Sequence, residues 1–149
     1  MGRTTAVLPD QPSALIRAAV RDLKSVRRSS NYVVDMDYWH MPAWEAESYD
    51  HDEHACHVCL AGAVMARSLG VDVGDIAAPE DFGARAERKL LALNSFRLGN
   101  TAAAFVRLGL PDKEGAKFDR NMPDFSPDDP RLFYHAMEKL ASDLEAAGY

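Results

Sequence analysis

The sequence predicts a mainly α-helical, single-domain protein of four to six helices, on three observations. Apolar residues recur at three- and four-residue spacing through several segments. Proline, glycine and Asn/Asp residues stand where such segments start and stop. One segment, 55–66, runs without an Asp, Glu, Lys or Arg and reads as a helix buried on all sides. An α+β arrangement is the alternative. The length of 149 residues suits one domain with its own core, taken as 1–149.

Residues 1–9 carry no periodic pattern and read as a loose arm. Pro12 and Ser13 open the first helix. Its apolar stripe is Leu15, Ile16, Ala19, Val20, Leu23 and Val26, while Arg17, Arg21, Lys24, Arg27 and Arg28 form a basic face. Residues 31–38 alternate weakly and predict a short strand. Pro42 then interrupts regular structure, and a loop through Glu53 is expected. The central helix is placed at 56–69. On it Cys56, Cys59, Ala63 and Ala66 should share one face, whose small residues let a neighbour approach. A polar loop over 71–82 precedes a helix over 83–98, with Ala86, Leu90, Leu91, Leu93, Phe96 and Leu98 as its apolar set. Gly99 breaks that helix, and Asn100 or Thr101 caps the next, which Gly109 and Pro111 end. Four prolines within 111–130 predict a long loop, 111–129. Asp129 and Pro130 start the last helix, with Leu132, Phe133, Ala136, Met137, Leu140 and Leu144 facing inward.

The formal net charge of −6 works against nonspecific nucleic-acid binding. No apolar stretch is long enough to cross a membrane and no secretory signal is visible, so a cytoplasmic location with reduced thiols is expected.

Three groups of residues are candidates for function. The first is Tyr38, Trp39 and Trp44 with the acidic run Glu45, Glu47, Asp50, Asp52 and Glu53. Tryptophan and tyrosine are enriched at interfaces, and an acidic rim steers a basic partner. Packing over the central helix is the plainer use of the same aromatics. The second is Cys56 and Cys59 with His51 and His54, a set of zinc-ligand types, to which His40 or His135 could add. A second Cys-x-x-Cys is missing, and cysteine in an apolar helix is commonly a small packing residue, so neither metal nor cofactor is the favoured reading. A redox role would ask for the cysteines at a helix start after a core strand, whereas the segment before them reads as an acidic loop. A Cys–His nucleophile pair lacks a nameable oxyanion hole. No serine elbow, phosphate loop or dinucleotide fingerprint is present, and nothing specifies an enzyme. The third group is the basic face of the first helix, as a phosphate-binding stripe.

Two pieces of sequence carry a resemblance. They are Asp37-x-Trp39-His40 followed by Cys56-x-x-Cys59-Leu60-Ala61-Gly62-Ala63-Val64-Met65-Ala66, and Leu93-Asn94-x-Phe96-Arg97-x-Gly99. Together, over about a third of the chain, they resemble small accessory proteins of bacteriophages and prophages. That resemblance implies a non-enzymatic protein that binds a host or phage complex, such as an anti-defence or anti-CRISPR inhibitor, acting in the host cytoplasm. It supplies no catalytic residues.

Overall fold

The computed structural model describes residues 8–28, 32–36, 39–41, 56–69 and 79–149. The fold is mainly helical. Its described helices are α1 (Pro12–Arg27), α2 (Leu60–Leu69), α3 (Ala84–Arg97), α4 (Thr101–Arg107), α5 (Asp112–Ala116) and α6 (Arg131–Ala146). Short strands β1 (Tyr32–Val34), β2 (His40–Met41) and β3 (Cys56–Val58) form a sheet in the order β1-β3-β2, and a 3-10 turn spans Pro79–Phe82. The chain divides into two compact units, Arg21–Glu87 with the N-terminal residues, and Leu8–Val20 with Arg88–Tyr149.

The stripe expected on α1 is the buried one: Leu15, Ile16, Ala19 and Leu23 are fully covered, with Val20 and Val26 nearly so. Helical periodicity selected these positions because a helix must bury its apolar face to be stable in water.

In the unit containing Arg21–Glu87, β3 is the middle strand. It runs parallel to β1, with Tyr32 opposite Cys56 and Val34 opposite Val58, and antiparallel to β2, with His40 opposite Val58 and Met41 opposite His57. The strand near 31–38 was expected; β2 and β3 were not. The central helix placed at 56–69 therefore begins four residues later, at Leu60. A short uncharged run fits a buried strand as well as a buried helix, and the ladders on both sides of β3 decide for the strand. From Leu60 to Ala66 every residue is buried, as an all-apolar helix requires. Helix α2 packs on β2 and β3.

In the other unit, α3 ends at a left-handed Gly99 (φ +78°), whose amide donates to the Phe96 carbonyl while Asn100 donates to that of Ser95. Asn100 then caps α4, its side-chain oxygen accepting from the Ala103 amide at 3.2 Å. The loop expected over 111–129 contains α5. Gly115 lets that helix lie on α4: a Cβ there would come within 2.6 Å of the Thr101 carbonyl oxygen and 2.8 Å of the Phe105 ring. Packing of this kind leaves no trace in helix propensity. The rest of the loop is fastened too. Asp119 accepts from the Ala102 amide at 3.0 Å, Arg120 donates its own amide to the Gly99 carbonyl at 3.1 Å, and the Phe125 ring meets Phe133 edge-on at 5.6 Å.

Three further expectations need amendment. Pro130 occupies the N-cap position of α6, with Asp129 supplying the side-chain acceptor for the Arg131 amide. Leu98 and Leu132 are exposed, since each sits at a helix end beyond the covered face. Of the arm over 1–9 the described residues are Leu8 and Pro9, and there the ammonium of buried Lys89 donates to the Leu8 carbonyl and pairs with neighbouring Asp10, both at 2.7 Å.

Candidate functional site

The junction of β2, β3 and α2 brings together the described parts of two sequence motifs. Cys59 follows β3 and is the N-cap of α2. Its carbonyl accepts from the Ala63 amide at 2.9 Å and its sulfur accepts from the Gly62 amide at 3.2 Å. This satisfies an amide that the first turn of a helix would otherwise leave without an intrahelical partner. The thiol is only 2% exposed. Its sulfur caps the first turn of α2. The expectation that Cys56 and Cys59 share a helix face with Ala63 and Ala66 is thereby corrected, because Cys56 lies in a strand and Cys59 precedes the helix.

The extended backbone of β3 also separates the two cysteines. Three extended steps carry Cα of Cys56 about 10 Å from Cα of Cys59, beyond the roughly 7 Å that a disulfide can bridge. Among the described residues no group of three or more His, Cys, Asp or Glu converges as a metal site. His51 and His54 lie outside the described residues. His40 belongs to β2, and His135 is exposed on α6.

The aromatic segment meets α2 through its backbone. A Cβ on Gly62 would overlap the carbonyl oxygen of Trp39 and approach the carbonyl carbon at 2.6 Å. Only glycine allows this approach. Trp39 is half-buried, so the packing and the binding uses of its side chain both keep some surface. Tyr38, Trp44, Glu45, Glu47, Asp50, Asp52 and Glu53 lie outside the described residues.

The basic face of α1 is less uniform than its sequence implies. Arg17 donates to the Glu145 carboxylate at 2.6 Å and to Ser142 at 3.5 Å. Arg21 stands 3.8 Å from the Asp22 carboxylate, and Arg67 from α2 reaches the same oxygen at the same distance. Burial pushes the Asp22 carboxyl above its usual range, against the pull of Arg21 and then Arg67. Sequence reading missed both Gly62 and Arg67. A glycine inside a helical apolar run is the available signal for the first; nothing local marks the second, because its partner is 45 residues away in the chain.

No protein-family model, curated protein or solved structure matches the chain. Among the described residues, no helix is long and apolar enough to cross a membrane.

Proposed function

We propose that the chain is a non-enzymatic binding protein that engages a protein partner through the segment carrying Tyr38, Trp39 and Trp44 and the acidic run Glu45, Glu47, Asp50, Asp52 and Glu53. The observation that supports this reading is the contact of Trp39 with Gly62, which ties the backbone of a half-buried tryptophan to the buried Leu60–Ala66 stretch of α2. An aromatic held in place before binding loses less conformational entropy when a partner arrives, and tryptophan is the residue type that most often dominates an interface. The acidic run would favour a partner with a basic rim. The resemblance to phage accessory proteins supplies the context: a protein that blocks or redirects a host complex, anti-CRISPR inhibition being one such activity.

Immobilised wild-type protein and Trp44→Ala protein, exposed to the same host lysate and read by mass spectrometry, test the reading. A partner held by the wild type and lost by a Trp44→Ala protein of unchanged circular dichroism supports it. Equal capture by a well-folded Trp44→Ala protein removes this segment as the binding surface.

A further inference from the structure

Helix α5 belongs to a short span that is fixed at both ends and lies on α4. The leading end turns at Gly109, whose left-handed backbone (φ +75°) has open space where a side chain would stand. The trailing end is fastened where Asp119 accepts from the Ala102 amide and the Arg120 amide donates to the Gly99 carbonyl. Between them, the close approach of Gly115 lays residues 110–118 over Thr101 and Phe105, both fully buried. A helix of five residues has little stability of its own, so contacts decide whether the span stays down.

Two of those contacts act in opposite directions. Tyr149 holds the span closed: its ring meets that of Phe105 at 4.9 Å and that of Phe118 edge-on at 6.4 Å. Tyr149 is itself well placed. Its amide donates to the Leu144 carbonyl at 2.9 Å, and its carbonyl accepts from the amide and the hydroxyl of Ser13 at 3.1 and 3.2 Å. Thr101 acts against closure. Its hydroxyl is buried and has no hydrogen-bond partner among the described residues. An unpaired buried hydroxyl carries a desolvation penalty that contact with water relieves.

We infer that residues 110–118 form a strap that opens and closes as one unit, latched by Tyr149 and biased toward opening by the unpaired Thr101 hydroxyl. In the open state water reaches that hydroxyl and the Phe105 ring, while the buried face of α6 stays covered. The strap is separate from the aromatic segment, and neither reading depends on the other.

The test is native-state hydrogen exchange, read by nuclear magnetic resonance on the full chain in increasing urea. The Gly115, Phe118 and Asp119 amides each donate to a carbonyl within the span. They should share one opening constant, larger and less dependent on urea than that of the Leu140 and Ala141 amides of α6. Tyr149→Ala should raise the shared constant about tenfold relative to α6, and Tyr149→Phe, which keeps the ring, should leave it unchanged. Thr101→Val, which keeps the shape and removes the hydroxyl, should lower it about fivefold or more. That variant decides by itself should Tyr149→Ala fail to fold. Unequal constants at the three amides, opening only together with α6, or a strap indifferent to Thr101→Val or to a folded Tyr149→Ala would overturn the inference.

Discussion

Gly62 of α2 and Trp39 of the β2 segment meet backbone to backbone, with the Trp39 carbonyl filling the space a side chain on Gly62 would need. The helix and the aromatic segment cannot both keep their places if that glycine acquires a methyl group. Gly62→Ala should therefore destabilise the protein despite the better helix propensity of alanine, by at least the roughly 1–3 kcal/mol typical of overpacking. Urea denaturation followed by circular dichroism measures the change; unaltered stability would mean the contact is absent in solution.

Ala63, fully buried one residue further on, should behave similarly through its side chain. Ala63→Leu adds three carbon atoms at a fully buried position, and a loss of about 1–3 kcal/mol is expected from the same denaturation series.

Cys59 caps α2 through its sulfur. Serine is a strong N-cap residue, so Cys59→Ser should retain most of the stability, while Cys59→Ala should lose about 1 kcal/mol. Equal melting temperatures for the two variants would argue against the capping role. In the native protein the Cys59 thiol should react with an aromatic disulfide reagent only as fast as the structure opens, because it is 2% exposed.

Asp119 holds the 111–129 loop to the start of α4 by accepting from the Ala102 amide. Asp119→Ala should cost about 1 kcal/mol as a lost cap. It should also raise hydrogen exchange at the Ala102 amide, which nuclear magnetic resonance reads directly. Asn100 still caps Ala103 in that variant, so exchange there should change little.

The pH dependence of stability has opposite signs at two aspartates. Burial raises the folded-state value for Asp22, so its contribution is greatest below the ordinary carboxylate value of 3.8 and is lost as pH rises through the raised value. Asp22→Asn should therefore be stabilising near neutrality, with the gain shrinking in acid. At Asp143 the hydrogen bond from Lys139 outweighs the opposing effect of burial, and with Arg120 it lowers the value. That contribution is present above 3.8 and lost as pH falls through the lowered value. Thermal melts of Asp22→Asn and Asp143→Asn at neutral and acid pH separate the two.

Helices were the legible part of this chain. The α1 stripe from Leu15 to Val26, the Gly99–Asn100 break and the Asp129–Pro130 start are local signals. Each states a need met within a few residues: an apolar face to be covered, a left-handed backbone, an amide to be capped. The all-apolar character of Leu60–Ala66 likewise announced burial before any neighbour was known. What the chain could not announce locally was which partner would meet those needs. Whether 56–58 is strand or helix depends on ladders to residues 32–34 and 40–41, and with that choice goes the separation of Cys56 from Cys59 along an extended backbone. The requirement for glycine at 62 and 115 comes from the Trp39 carbonyl and the Phe105 ring. The pairing of Arg67 with Asp22 comes from the approach of α2 to α1. Periodicity and capping are properties of consecutive residues and were determined by the sequence alone; close approach and charge pairing across long separations were decided only by the tertiary structure, because they depend on which surfaces the collapsed chain brings into contact.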